Sequence, residues 1–141
     1  MVFHNGKTHL IVAIANNLIR RKTNVVYMPY REIIMELKQN VMNGEVYNEN
    51  MEKYKKAEVL LIDDLFKGQI TPSDVNIMFE IINYRYMSNL PILISTEKTI
   101  DAIIEIDEAL GSRIYEMVGD YKAEVLGSES NYRLKGREEK K

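Results

Sequence analysis

The stretch Val59-Leu60-Leu61-Ile62-Asp63-Asp64 decides the fold class of this 141-residue chain. Four consecutive apolar residues that end in two carboxylates are typical of a strand buried on both faces, as the strands of parallel sheets are. Ile92-Leu93-Ile94 repeats the apolar pattern and leads into Ser95 and Thr96. Helical patterns separate the strands, which predicts right-handed crossovers and an α/β fold with a three-layer parallel sheet.

The rest of the chain fits this alternation. Asn43-Gly44 is interpreted as the end of the second helix, because these residue types often follow a helix C-terminus. The predicted helices cover about 7–21, 31–42, 47–56, 72–87, 100–105 and 112–118, and the predicted strands cover 24–28, 59–63, 92–96 and 123–126.

Composition bounds the class of protein. The chain is long enough for one core, with 45% hydrophobic and 28% charged residues. Its net charge of −2 restricts any nucleic-acid contact to local patches. The absence of cysteine excludes disulfides and thiolate chemistry and is compatible with a cytoplasmic location. We expect neither a signal peptide nor a membrane span, because no stretch approaches the roughly 20 apolar residues that a span needs.

Gly6-Lys7-Thr8-His9-Leu10 adds a chemical signal near the N-terminus. A lysine between glycine and threonine at a helix start supplies an ammonium group for phosphates and a hydroxyl group for Mg²⁺, while backbone N–H groups hold the anion. Asp63, at the end of a later strand, can reach the same ion directly or through water. Neither fragment is specific alone, but together they predict a site for ATP and Mg²⁺.

The phosphate loop departs from the full pattern, because its first glycine would fall on Met1. The fold is therefore expected to be truncated at its N-terminus, in or before this loop, and ATP binding is expected to be weak. The strand that precedes such a loop should lie between Ile92–Thr96 and the last strand. We expect Met1–His4 to serve as a short substitute there, or that sheet edge to associate with another chain.

Taken together, the motifs resemble those of the AAA+ ATPase domain of bacterial and phage replicative helicase loaders of the DnaC/DnaI type, which are similar to the IstB ATPases and more distantly to DnaA. The resemblance rests on GKTHL at 6–10, VLLIDDL at 59–65, INYRY with PILIST at 82–96, LGSRI at 110–114 and NYRL at 131–134. It implies an AAA+ core over residues 1–135, followed by a charged tail at 136–141.

The resemblance also implies roles for single residues. Asp63 would be the Walker B metal ligand, and Asp64 would polarise the attacking water. Arg113 would be an arginine finger that acts on the nucleotide of a neighbouring subunit, and so would imply a homo-oligomer. The implied nucleotide-binding residues are Gly6, Lys7, Thr8, His9, Thr96, Glu97 and Arg133, and the implied metal ligands are Thr8 and Asp63.

Each assignment has a structural alternative. The two aspartates could cap a strand-to-loop turn, and Thr96 with Glu97 could begin a helix. Arg113 could be an ordinary surface arginine. The segment Tyr84-Arg85-Tyr86 could stack on bases and contact phosphate, although tyrosines at this spacing are more often part of a core.

Two function classes therefore stay open. The first is an ATP-dependent loader or DNA-replication accessory ATPase, with a replicative helicase and single-stranded DNA as partners. The second is a truncated, non-catalytic interaction module that keeps the P-loop fold without ATP turnover. A metabolic P-loop kinase is disfavoured, because no acceptor-substrate motif or lid motif is present in the sequence.

Overall fold

The computed structural model describes residues 2–4, 8–119, 121–126 and 131–136, with side chains described for 10–119. The elements, in chain order, are β1 (Val2–His4), α1 (Thr8–Arg20), β2 (Val25–Pro29), α2 (Tyr30–Gln39), α3 (Gly44–Lys56), β3 (Val59–Asp63), α4 (Pro72–Met87), β4 (Ile92–Thr96), α5 (Ile100–Ile106), α6 (Glu108–Val118), β5 (Tyr121–Leu126) and β6 (Asn131–Gly136).

The strands form one sheet in the order β2-β3-β4-β1-β5-β6. The first five strands of that order are parallel, and β6 pairs with β5 in the antiparallel sense. This confirms the predicted parallel sheet. Val2–His4 lie between β4 and β5, the middle position expected for a substitute strand.

Side chains of the buried strands alternate between two apolar clusters, one on each face of the sheet. Leu60 and Ile62 belong to the larger cluster, which α2 to α6 cover. Val59 and Leu61 belong to the smaller cluster, where they pack against Ile11 of α1. A strand places successive side chains on opposite faces, so this alternation produces the three layers.

Two helix boundaries differ from the expectation. Asn43 does not end the second helix; its side chain accepts a hydrogen bond from the Val46 amide at 3.3 Å and so begins α3. Asp107 caps α6 in the same way, accepting from the Leu110 amide at 2.8 Å, so α6 begins at Glu108. Asparagine is favoured on either side of a helix boundary, which explains the first error.

Gly111 lies inside α6 where that helix meets α5. A Cβ atom at this position would lie 2.5 Å from Cγ1 and 2.7 Å from Cα of Ile104. Real Cβ atoms do not approach a backbone so closely, and the glycine of the LGSRI segment is therefore needed for helix packing rather than for chemistry.

Arg85 of α4 is buried and connects its own helix to the end of α3 and to the residue before β4. Its side chain is 0% exposed. One terminal nitrogen, Nη1, donates to the carbonyls of Tyr54 (3.2 Å), Lys55 (3.2 Å) and Ala57 (2.7 Å) at the end of α3, and Nη2 donates to the Pro91 carbonyl at 2.6 Å. This burial leaves Arg85 no surface for the nucleic-acid contact considered from the sequence.

The C-terminal hairpin was only half predicted. The sequence indicated the strand at 123–126, which the structure extends to Tyr121–Leu126, but it did not indicate β6. Arg133 lies in β6 and its side chain is outside the described residues, as is the tail at 137–141. Within the described part of the chain, no helix is both long enough and apolar enough to span a membrane.

Candidate nucleotide-binding site

Asp63 is the centre of the candidate site. It is the last residue of β3, and it is 6% exposed. Its Oδ1 accepts a hydrogen bond from the Ser95 hydroxyl at 2.6 Å, and its Oδ2 accepts one from the Tyr27 hydroxyl at 2.8 Å. The carboxylate is thus held from both sides, by residues of the two strands that flank β3.

The backbone after β3 orients Ser95. The Asp64 amide donates to the Ser95 hydroxyl oxygen at 2.8 Å, so the hydroxyl hydrogen of Ser95 is directed to Asp63. The Leu65 amide donates to the Ser95 carbonyl at 2.9 Å. Asp64 adopts a φ of 58°, in the left-handed region that aspartate tolerates better than most residues. The turn from strand to loop is therefore built around Ser95.

Asp64 carries the second carboxylate. Its Oδ2 lies 3.9 Å from Nζ of Lys67. Burial raises the pKa of the Asp64 carboxyl group, the charge of Asp63 raises it further and that of Glu97 slightly, and Lys67 partly offsets these effects. A carboxylate with a raised pKa next to a buried acid can accept a proton from water, but its role as the water-polarising residue stays a prediction.

Thr96 and Glu97 follow Ser95 at the end of β4, and the described hydrogen bonds of Thr96 go to the neighbouring loops rather than to Asp63. The buried Thr96 hydroxyl donates to the Leu65 carbonyl at 3.0 Å and accepts from the Lys98 amide at 3.1 Å. Glu97 is exposed. The hydroxyl group of Thr96 thus has two partners within the protein. The nucleotide-binding role of Thr96 and Glu97 also stays a prediction.

Ser95 and Tyr27 are the two described polar contacts of Asp63 to which the sequence assigned no role, and for Ser95 a signal existed. Ser95 was placed at this sheet edge but given no role. Strand alternation could have found it: Leu61 and Leu93 are register partners on the α1 face, so Asp63 and Ser95, two positions further along each strand, share that face. Thr96 falls on the opposite face.

The start of α1 is at the same edge of the sheet. Parallel strands end at one edge, and α1 begins at Thr8 soon after β1 ends at His4. Thr8 and His9 are the first residues of α1, but their side chains are not described, and Gly6 and Lys7 lie outside the described residues. A helix N-terminus at the same sheet edge as a buried carboxylate is suited to a phosphate group with its metal ion.

The donor set fits a metal ion that arrives with a nucleotide. Among the described residues, no group of three or more histidine, cysteine, aspartate or glutamate side chains could hold a metal ion. Mg²⁺ is usually held by one or two carboxylates together with substrate phosphates and water. A single buried Asp63 carboxylate suits that arrangement and does not suit an independent metal centre.

Arg113 lies in α6, where its side chain contacts α4. Its Nε donates to Oδ1 of Asn83 at 2.7 Å, and its Nη1 donates to the Ala109 carbonyl at 3.1 Å. The guanidinium carbon is 5.2 Å from the ring centre of Phe79 and 5.6 Å from that of Tyr86. Arg113 is therefore no isolated surface arginine, since it connects the INYRY and LGSRI segments.

Comparison with known proteins identifies the family. The model of the bacterial DnaA ATPase domain matches residues 3–119. The chain belongs to this family. Among the curated relatives, the uncharacterised protein YqaM of Bacillus subtilis strain 168 is 46% identical over 138 residues, which are 92% of this chain and 43% of YqaM. The phage-like element PBSX protein XkdC of the same strain is 42% identical over 140 residues, 94% of this chain and 52% of XkdC. The chain thus spans about half the length of these relatives.

Solved structures of DnaA-family members share its fold. DnaI has a TM-score of 0.72 at 27% identity, over 88% of this chain and 71% of DnaI. A DnaC helicase loader has a TM-score of 0.68 at 25% identity, over 82% of this chain and 72% of the loader. DnaA bound to AMPPCP and single-stranded DNA has a TM-score of 0.74 at 22% identity, over 92% of this chain and 41% of that DnaA chain. The chain therefore has the AAA+ P-loop fold, and its family relation is to DNA-replication initiation and helicase-loading ATPases.

Proposed function

We propose that this domain binds ATP with Mg²⁺ and acts as a helicase loader or accessory ATPase of DNA replication. The observation that carries the proposal is the Asp63–Ser95 hydrogen bond on the α1 face, at the edge where α1 begins. An apolar residue at this buried position would serve folding as well as a carboxylate. A carboxylate at the carboxyl ends of the strands is, however, suited to binding a nucleotide with its metal ion.

Each residue of the proposed site would have a separate role. The Lys7 ammonium and the amides at the start of α1 would neutralise the β- and γ-phosphates, while the Thr8 hydroxyl and Asp63 would hold the metal ion. Mg²⁺ would supply charge neutralisation on the phosphates. Asp64 would orient the attacking water and accept its proton. Gly6, His9, Thr96, Glu97 and Arg133 complete the proposed nucleotide contacts.

Arg113 would act on the nucleotide of a neighbouring copy of the chain. Its described hydrogen bonds join it to α4 and to its own helix rather than to Asp63, which suits a role in trans. The proposed assembly is thus a homo-oligomer in which each site needs an arginine from the next subunit.

The proposed partners come from the relatives. One similar structure is a DnaC helicase loader, and another is DnaA with single-stranded DNA and AMPPCP. We extend a replicative helicase and single-stranded DNA to this chain as its partners. The extension is supported by the loader-type motifs that surround Asn83 and Arg113.

The test is ATP binding measured by ligand-detected NMR, which is suited to weak binding, with Mg²⁺ and with EDTA. Asp63→Asn should reduce the gain in affinity that Mg²⁺ provides by about tenfold or more. Asp101→Asn is the matched control, because Asp101 is an exposed carboxylate at the start of α5. Equal binding by both variants and the wild type would contradict the proposal.

A non-catalytic module is the second candidate, and the Asp64 side chain favours it. That carboxylate lies 3.9 Å from Nζ of Lys67, whose charge offsets part of the rise in the Asp64 pKa and so makes Asp64 a weaker base than it would be without the lysine. Release of phosphate from bound ATP separates the two candidates: binding without turnover, in the presence of co-assembled subunits, supports the module.

A further inference from the structure

Tyr27 contacts the candidate site through its hydroxyl group. It lies in β2, where its register partner is Leu61, and its hydroxyl reaches Oδ2 of Asp63, two residues further along β3. The residue is 47% exposed and belongs to neither apolar cluster. Packing of the ring therefore does not account for the position of Tyr27, whereas the hydrogen bond does.

Tyr30 provides the opposite case in the same segment. Its ring is buried and packs edge-on against Phe66, with the ring centres 5.6 Å apart. Its hydroxyl oxygen has no hydrogen-bond partner among the described residues. Tyr30 thus contributes to core packing through its ring, whereas Tyr27 contacts Asp63 through its hydroxyl. Removing the hydroxyl group of Tyr30 is therefore a matched control for removing that of Tyr27.

The two hydroxyl groups on Asp63 determine how its carboxylate can turn. A carboxylate offers about four lone-pair positions. Ser95 uses one on Oδ1, and Tyr27 uses one on Oδ2. Rotation about the bond to the carboxyl carbon would break one of the two hydrogen bonds, so the two contacts hold the carboxylate in one orientation.

We propose that Tyr27 is a positioning residue for Asp63, one that fixes the carboxylate for the metal ion of a bound nucleotide. The inference rests on the proposed ATP site and adds a residue to it. Groups that hydrogen-bond to a metal ligand orient it, and their loss typically weakens metal binding 10–100-fold.

The experiment compares Tyr27→Phe with Tyr30→Phe and the wild type, each as the whole chain. The affinity for ATP is measured by ligand-detected NMR with Mg²⁺ and with EDTA, and the ratio of the two affinities is the readout. Tyr27→Phe should lower this ratio about tenfold and leave the affinity in EDTA unchanged. Tyr30→Phe should leave both values unchanged. A purely structural role of Tyr27 would change both affinities together, or the thermal midpoint alone.

The outcomes separate the two proposals. A wild-type ratio above one that Tyr27→Phe does not lower overturns the role of Tyr27 and leaves the ATP site in place. A parallel loss of affinity with Mg²⁺ and with EDTA also overturns it. A wild-type chain that shows no effect of Mg²⁺ overturns the ATP site and the role of Tyr27 together.

Discussion

Replacing Arg85 with methionine should destabilise the protein more than almost any surface change. Methionine keeps most of the length of the side chain and removes the four hydrogen bonds to the carbonyls of Tyr54, Lys55, Ala57 and Pro91. These carbonyls end α3 and begin β4, so the substitution acts on the contact between a helix and the middle of the sheet.

The magnitude follows from two opposing effects. Hydrogen bonds to a charged group contribute roughly 1.5–3 kcal/mol each. The three contacts of Nη1 share its two hydrogens, so together with the contact of Nη2 the four contacts amount to about three such bonds. Against this, burial lowers the pKa of Arg85 to about 10, so the guanidinium is still protonated at neutral pH, and removing it recovers about 3 kcal/mol of desolvation. The net loss in the free energy of unfolding should be about 2–6 kcal/mol, which is roughly 5–20 °C in Tm for a chain of this length.

The assay is urea unfolding followed by circular dichroism, with two further variants. Arg85→Lys keeps the charge but not the fork of donors, and it should lose about half as much stability as Arg85→Met. Arg21→Met is the control, because Arg21 is exposed, and it should stay within about 0.5 kcal/mol of the wild type. A loss below about 1 kcal/mol for Arg85→Met, or full stability of Arg85→Lys, would refute the reasoning.

Two more predictions concern Tyr30 and Arg113. Burial, followed by the charge of Asp74, raises the pKa of Tyr30 above its usual 10.0, so the stability from its neutral form is complete below pH 10 and declines as the pH rises towards the folded-state pKa. The urea midpoint of Tyr30→Phe should therefore fall less steeply than that of the wild type between about pH 9 and pH 11, and equal slopes would argue against this. For Arg113, mixing inactive Arg113→Ala and Asp63→Asn proteins should partly restore ATP turnover, because some interfaces then hold both intact groups. A mixture that co-assembles and stays inactive would exclude a role in trans.

Local sequence patterns predicted the elements whose signals are unambiguous. β3 and β4 are uninterrupted apolar runs, and α4 begins with a proline after Thr71, whose side chain caps the helix. Boundaries failed where one residue type suits two structures, as Asn43 does. β6 was missed because Asn131–Gly136 mixes polar and apolar residues and forms a strand only beside β5.

Local motifs in the sequence predicted part of the candidate site. The sequence identified Asp63, because an apolar strand that ends in an acid is a local pattern. It did not identify the residues that hold this carboxylate, since Tyr27 and Ser95 come from different strands and meet Asp63 only through the sheet register. The role of Arg85 was out of reach for the same reason, because its partners are backbone carbonyls, which carry no signal of residue type.

The position of β1 has a practical consequence for anyone who clones this chain. β5 and β6 reach the rest of the sheet through β1, which has only three residues. An affinity tag fused ahead of Met1, or a protease that trims the first residues, would act on this junction. The effect would appear first in β5 and β6, which lie far from β1 in the sequence, so a tag at the C-terminus is the safer choice for keeping the N-terminal junction intact.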